Sequence, residues 1–136
     1  MNLEITSKPS RKDQATVIEG TRNHNQLHTP SDYAPLCIFD RLESGEIIAG
    51  LTAKTYWNYL DIAYLWVAEP YRKQGKAPPI LKAAENEALR RDCHYAILDT
   101  YSFQALGFYK KIGYSEFGEL DHFLGTNTRH YLRKRL

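Results

Sequence analysis

The chain has 136 residues, of which 43% are hydrophobic and 25% are charged. This composition is ordinary for a folded domain and excludes a disordered chain and a collagen-like repeat. No apolar run reaches the ~18 residues of a membrane span, and the start of the chain lacks the pattern of a signal peptide. We therefore expect residues 1–136 to form one cytoplasmic domain with no membrane partner. Cys37 and Cys93 are too few for a disulfide framework and are expected to be free thiols.

The net charge of +2 conceals a difference between the two halves of the chain. Residues 1–68 carry 6 Lys and Arg against 8 Asp and Glu, whereas residues 69–136 carry 12 against 8. Two interpretations stay open: ordinary surface variation, or an anionic ligand or nucleic acid bound by the basic half.

The predicted elements begin with a strand at about Leu3–Lys8, where apolar and polar residues alternate. Ser10 then starts a helix that runs to about Leu27, since its hydroxyl can accept N–H groups of the first turn. Three strands follow, at Leu36–Phe39, Ile47–Leu51 and Leu60–Val67, and the first two form a hairpin.

The second half changes to helical spacing, with a helix from about Pro78 to Arg91. The later elements are a strand at Tyr95–Thr100, a helix at Ser102–Ile112, and strands at Tyr114–Leu120 and Arg129–Leu136. The order β-α-β-β-β-α-β-α-β-β predicts an α/β (α+β) fold. We expect a mixed, mostly antiparallel sheet of about seven strands with about three helices, and one parallel pair across the helix of residues 78–91.

The segment from Leu65 to Ala77 combines an apolar strand, a polar turn with Gly75, and a helix start. Such a junction points backbone N–H groups and the positive end of a helix at one spot, which favours a phosphate. Neither a Walker loop nor a GxGxxG dinucleotide motif is present. An ordinary strand-to-helix turn with a solvated basic rim is the alternative.

Two motifs in this half resemble those of the GNAT superfamily of acyl-CoA-dependent N-acyltransferases. The first is Arg72-x-x-Gly75-x-Ala77-x-x-Ile80-Leu81, which is similar to the cofactor loop of that family. The second is Ala105-x-x-Phe108-Tyr109-x-x-Ile112-Gly113-Tyr114, about thirty residues further on. The order of predicted elements is also similar to the GNAT fold across nearly the whole chain. The resemblance implies an N-acetyltransferase that uses acetyl-CoA as co-substrate and needs no metal.

The resemblance also implies which residues hold the cofactor. Strand residues Leu65, Trp66 and Val67 are expected to pair with the pantetheine arm through their backbone groups. The pyrophosphate is expected to lie on the loop residues Arg72, Lys73, Gln74, Gly75, Lys76 and Ala77. Ser102 stands where the family often has an asparagine that contacts pantetheine, and Gln104 is the alternative for that role. Pro78 and Pro79 depart from the family pattern, because proline has no N–H to offer a phosphate.

The catalytic residues follow from the same resemblance. Tyr109 corresponds to the tyrosine that faces the cofactor sulfur, where a phenol can protonate the leaving thiolate. A core aromatic is its structural alternative. Asp61 is a candidate base at the start of the fourth strand, and Glu69 is a second one. Strand alternation predicts that Asp61, Leu65 and Glu69 share one face. Asp61 could equally be a turn residue, and Glu69 a solvated one.

The acceptor is expected to be a primary amine, with a small molecule favoured. Five aromatic residues near the third and fourth strands predict either a packed sheet edge or a wall for a cationic amine: Tyr56, Trp57, Tyr59, Tyr64 and Trp66. The resemblance implies that four acids border the acceptor pocket: Asp32, Asp61, Glu119 and Asp121.

Other functions remain as alternatives. A non-catalytic acyl-CoA-binding or regulatory module and a protein-lysine or N-terminal acetyltransferase are the main ones, and a homodimer is open. A nucleic-acid-binding domain is least favoured, because the basic C-terminal end is short. His24 and His28 have a metal-compatible spacing but no third ligand nearby in the sequence, so no metal site is expected.

Overall fold

The computed structural model describes residues 1–122 and 125–136. The chain divides into two compact units, Met1–Asp32 and Tyr33–Leu136, and each is described by itself. None of the helices in the described residues is long and apolar enough to cross a membrane.

The first unit contains helix α1, Arg11–Gln26. Its start is confirmed as the sequence predicts, because Ser10 Oγ accepts a hydrogen bond of 3.0 Å from the N–H of Asp13. The strand expected at Leu3–Lys8 is wrong, since residues 1–10 form no strand. Leu3 and Ile5 are 80% and 99% exposed, so the alternating apolar residues of this segment are not packed as those of a strand are. Alternation without a pairing partner does not make a strand.

The second unit is built on a six-stranded sheet in place of the seven strands expected. Its strands are β1 Ala34–Arg41, β2 Ile47–Tyr56, β3 Tyr59–Val67, β4 Tyr95–Tyr101, β5 Ser115–Leu120 and β6 Arg129–Arg135. Two helices belong to this unit, α2 Ala77–Arg90 and α3 Leu106–Lys111. The strand order is β1-β2-β3-β4-β6-β5.

The sheet is mixed and mostly antiparallel, as predicted. Only β3 and β4 pair in parallel among the strands described, and α2 makes the crossover between them. The helix lays a stripe of apolar residues on β1, β2 and β3. Ile80, Leu81, Ala84 and Ala88 form this stripe and are buried.

Helix α3 begins four residues later than the predicted start at Ser102. The side chain of Gln104 holds the preceding segment in a turn, since its Oε1 accepts from Thr100 Oγ1 at 3.1 Å and from the N–H of Tyr101 at 3.0 Å. These bonds satisfy local groups without helical geometry, so the helix starts after the turn.

A β-bulge interrupts β3 at Ala63, where Thr52 pairs with Tyr64 and Ala53 pairs with Ile62. Before the bulge Leu60 and Ile62 are buried, whereas after it Leu65 and Val67 pack on the core. The extra residue therefore reverses the alternation, so that odd-numbered instead of even-numbered side chains face the core after the bulge. The expectation that alternation carries Asp61 and Leu65 on one face is wrong for this reason.

Candidate active site

The parallel strands β3 and β4 pair over only three residues and then separate. The pairs are Tyr59 with Tyr95, Leu60 with Ala96, and Asp61 with Ile97. Beyond Asp61, β3 continues to Val67 and, among the strands that the structure describes, pairs only with β2. The edge of β3 that faces β4 therefore has backbone N–H and C=O groups available to a ligand that can pair like a strand.

A cavity of about 490 Å³ lies in this opening. It is lined by Ala63, Tyr64, Leu65, Arg72, Asp99, Thr100, Gln104, Ala105 and Tyr109. The opening thus brings together parts of β3, the loop after it, β4 and α3. Of the predicted site residues, Leu65, Arg72, Gln104 and Tyr109 meet here.

Tyr109 is held on α3 with its ring half-buried. Its ring lies edge-on to those of Phe108 and Tyr114, with centroid distances of 5.2 and 5.9 Å. Burial raises the pKa of the Tyr109 hydroxyl, because the phenolate is poorly solvated there. The hydroxyl is therefore a protonated group at neutral pH at the wall of the cavity.

The loop after β3 begins with a 3-10 turn, Glu69–Tyr71. Lys73 and Gly75 both adopt positive φ, at 59° and 72°. No hydrogen bond within the described residues uses the backbone N–H groups of Gly75, Lys76 or Ala77. The loop therefore presents free donors at the start of α2, an arrangement that suits an anion.

The cations of this loop have different surroundings. Arg72 donates from Nε to the carbonyl oxygen of Val67 at 3.0 Å and lines the cavity. Lys73 is exposed. Lys76 forms an ion pair with Asp40 on β1, with 2.8 Å between Nζ and Oδ2, so part of its charge is already compensated.

The two prolines occupy the second and third positions of α2. Neither Pro78 nor Pro79 has an N–H, and these positions belong to the four whose N–H groups point out of a helix start. The helix therefore offers an anion fewer donors than an ordinary N-terminus does.

Ser102 and Gln104, the two candidates for the pantetheine contact, have different surroundings in the structure. Ser102 accepts from the N–H of Thr128 at 3.1 Å and contacts Asn127 Oδ1 at 3.2 Å, so its hydroxyl ties the end of β4 to residues just before β6. Gln104 lines the cavity and uses only its Oε1 in the turn before α3. Its side-chain nitrogen Nε2 donates no hydrogen bond among the described residues.

Neither candidate base lines the cavity. Asp61 sits where β3 and β4 begin to separate, 3.7 Å from Lys54 Nζ. Glu69 is exposed in the 3-10 turn, where its carbonyl oxygen accepts from the N–H of Arg72. Of the other acids implied for the acceptor pocket, Asp121 is exposed, and Glu119 lies 3.9 Å from His130.

The aromatic residues divide into two groups. Tyr56, Trp57 and Tyr59 contact one another at the β2–β3 hairpin, with Tyr56 and Trp57 rings 4.3 Å apart. Tyr64 and Trp66 lie beyond the bulge, and Tyr64 lines the cavity. Tyr64 follows Tyr59 by five positions along the strand, roughly 17 Å, so the five aromatics do not make one continuous wall.

A second cluster lies on β5 and β6, where Glu116, Glu119 and His130 approach within 4.8 Å of one another. His130 Nδ1 is 2.7 Å from Glu116 Oε1, and this contact lowers the pKa of the Glu116 carboxyl. A hydrogen bond with Glu116 raises the pKa of Glu119. Lys110 also pairs with Glu116 at 3.5 Å and adds a cation beside the two carboxylates of the cluster.

Sequence reasoning missed Asp99 and Thr100 as cavity residues. Their signal was present, since a polar pair ends the apolar run Ala96-Ile97-Leu98 at the carboxyl end of a parallel strand. Ligands commonly bind at that end of a strand.

Comparison with known proteins adds to this geometry. The model of the acetyltransferase (GNAT) family matches residues 2–114. An acetyltransferase of Agrobacterium fabrum is 34% identical over 105 residues, which cover 77% of each chain. A blasticidin-S acetyltransferase of Streptomyces morookaense is 32% identical over 95 residues, covering 69% of this chain and 70% of the relative.

Solved structures agree with the fold. An acetyltransferase from Agrobacterium tumefaciens has a TM-score of 0.93 at 28% identity, with all of both chains covered. A streptothricin acetyltransferase from Bacillus anthracis, in complex with acetyl coenzyme A, has a TM-score of 0.67 at 20% identity over 82% of this chain and 67% of that one.

Proposed function

Because the chain belongs to the GNAT acetyltransferase family, we propose that it transfers the acetyl group of acetyl-CoA to a primary amine of a small molecule. The enzyme class and the co-substrate follow from the family. The nature of the acceptor and the roles of individual residues are the content of the proposal. The observation that carries it is the cavity between β3 and β4, which joins an open strand edge to Tyr109.

The open edge of β3 suits the amide-bearing arm of the cofactor. Leu65 and Val67 direct backbone groups to the β4 side, where no strand pairs with them, and an extended ligand can complete such a ladder. Trp66, which lies between them, directs its backbone groups to Gly50 of β2, and the carbonyl oxygen of Val67 also accepts from Arg72 Nε. Gln104 lines the same cavity, and it is our choice over Ser102 for a further contact.

The loop from Arg72 to Ala77 suits the pyrophosphate. The free N–H groups of Gly75, Lys76 and Ala77 supply donors, and Arg72 and Lys73 supply charge. Gln74 Nε2 donates to the carbonyl oxygen of Pro70 at 2.9 Å and helps to keep the loop closed.

The chemistry needs a neutral amine and a protonated leaving group. Bound acetyl-CoA supplies the acetyl group as a thioester, and the amine attacks it directly within a ternary complex. Tyr109 keeps its proton at neutral pH and lines the cavity, and these two observations support it as the donor of a proton to the departing sulfur. Asp61 and Glu69 lie outside the cavity lining, so either could take a proton from the amine only through water.

A small-molecule acceptor is supported by the relative at 32% identity, which is named for the acetylation of blasticidin S. Protein-lysine and N-terminal acetylation are the second candidate. They are favoured by the openness of the site, since Tyr64 is 75% exposed at its edge.

The test combines calorimetry with a turnover assay. We expect acetyl-CoA to bind, and we expect thiol release with at least one of blasticidin S, 1,4-diaminobutane and histamine, but not with a lysine-containing peptide. Binding without release from any amine or peptide would indicate a non-catalytic acyl-CoA-binding module. Release with the peptide alone would indicate a protein acetyltransferase, and an absence of binding at millimolar cofactor would remove the proposal.

A further inference from the structure

An ion pair beside the cavity has no part in the mechanism above. Asp99 on β4 accepts a hydrogen bond from Arg129 on β6, with 2.9 Å between Oδ2 and Nε. The same bond with Asp99 raises the pKa of Arg129, so the guanidinium remains charged throughout the working pH range. The pair joins the cavity wall to the neighbouring strand.

The position of Asp99 on the strand fixes its direction. Leu98 and Thr100 are buried in the core beside the helices, so Asp99 between them points to the opposite face of the sheet. Tyr64 lies on that face after the bulge in β3 and lines the same cavity. Tyr109, by contrast, packs with the core residues. The cavity thus has a proton donor towards the core and a carboxylate towards the open face.

The two charged residues of the cavity lining have opposite signs and lie on different elements. Asp99 is the one carboxylate among its described lining residues, and Arg72, on the loop, is the one cation. A polyanionic cofactor held near Arg72 leaves the Asp99 end for a group of positive charge.

Asp99 retains capacity for a ligand. Arg129 binds Oδ2, and Oδ1 accepts no hydrogen bond from the residues that the structure describes. The guanidinium of Arg129 lies 5.8 Å from the centre of the Tyr101 ring and 5.2 Å from that of Tyr131. These contacts hold the arginine in one place, and through it they orient the carboxylate.

We propose that Asp99 binds a second cationic group of the acceptor, separate from the amine that reacts, and that Arg129 is its positioning residue, so that the enzyme selects amines that carry a further positive charge at neutral pH. This inference rests on the proposed acetyltransferase function. It differs from a role for Asp61, whose carboxylate faces Lys54 and lies outside the cavity lining.

The test compares Asp99→Asn with the wild type in steady-state kinetics, using whichever of 1,4-diaminobutane and blasticidin S the wild-type enzyme acetylates. We expect the KM for the amine to rise about 10–100-fold, because a charge-assisted hydrogen bond is lost. The KM for acetyl-CoA is expected to stay within about twofold, and calorimetry with acetyl-CoA shows that the variant is folded. Asp99→Glu should restore part of the affinity for the amine.

The matched control is Asp92→Asn, an exposed acid after α2. Asparagine tolerates the positive φ of that position. This variant should behave as wild type. Turnover by the wild type together with an unchanged amine KM in Asp99→Asn would overturn the inference alone. A wild type that acetylates none of the amines would overturn the small-molecule function, and the inference with it.

Discussion

Arg72 and Val67 are joined by a hydrogen bond of 3.0 Å from the arginine Nε to the valine carbonyl oxygen. The bond fastens the start of the loop Arg72–Ala77 to the last residue of β3. The cation of the cavity lining is therefore positioned by the strand for which we propose a role in cofactor binding.

Replacement of this arginine tests the loop. We expect Arg72→Gln to weaken coenzyme A binding by about tenfold, since one charge-assisted contact to a phosphate is lost. The difference should shrink as salt is raised, because the interaction is partly exposed. Isothermal calorimetry at two salt concentrations measures both effects. Lys111→Gln, which removes an exposed cation of α3, is the control, and an equal loss in both variants would contradict a specific role for Arg72.

Removal of the Tyr109 hydroxyl tests the proton donor. Tyr109→Phe should lower kcat by about 100-fold, within the range of general acid catalysis, and leave acetyl-CoA binding unchanged. The control is Tyr95→Phe, which removes an exposed hydroxyl at the start of β4, the end of the strand that does not line the cavity. This variant should have full activity. A Tyr109→Phe protein with wild-type kcat would exclude the acid role.

The prolines of α2 give a gain-of-affinity prediction. Pro78→Ser restores an N–H at the second position of the helix, so we expect coenzyme A to bind several-fold more tightly. Pro35→Ser is a matched change in β1, away from the loop, and should leave the affinity unchanged. Equal affinity in all three proteins would mean that position 78 makes no contact with phosphate.

A buried ion pair stabilises the second unit. Lys134 Nζ lies 2.9 Å from Glu85 Oε2, and Tyr114 also donates to Glu85. Lys134→Met leaves the buried carboxylate without its cation, so we expect a loss of about 2–4 kcal/mol in the free energy of unfolding. Lys110→Met breaks an exposed pair with Glu116 and should cost less than about 1 kcal/mol. Urea denaturation distinguishes the two, and similar losses would be inconsistent with this account.

The free energy of unfolding is also expected to fall at alkaline pH. Burial, with the nearby charge of Glu85, raises the pKa of Tyr114 above its ordinary value of about 10. The unfolded chain therefore releases this proton at lower pH than the folded protein, and stability present below about pH 10 is lost as the pH rises further. We expect a constant Tm from pH 7 to 9 and a fall above 10. The fall should be shallower in Tyr114→Phe, and an identical slope would show that another group causes it.

Local signals in the sequence were sufficient for much of the fold. Ser10 caps α1 as its residue type predicts. Helical spacing in α2 correctly predicted a crossover, and with it the parallel pairing that opens at Asp61 and Ile97. The position of Tyr109 in the cavity likewise follows from a local motif.

Features that depend on distant residues were not predictable. The bulge at Ala63 arises from the register between β2 and β3, and it exchanges the faces of every residue after it. Asp99 and Arg129 are thirty positions apart and meet only because β4 pairs with β6. At Leu3 and Ile5 the reverse holds, because a local pattern was present but residues 1–10 form no strand.

The unpaired stretch of β3 lies inside the sheet, between β2 and β4, and not at its outer edge. Backbone N–H groups that point into this opening have no strand to protect them from exchange with solvent deuterium. A ligand that pairs along Leu65–Val67 is therefore expected to slow the exchange of these amides.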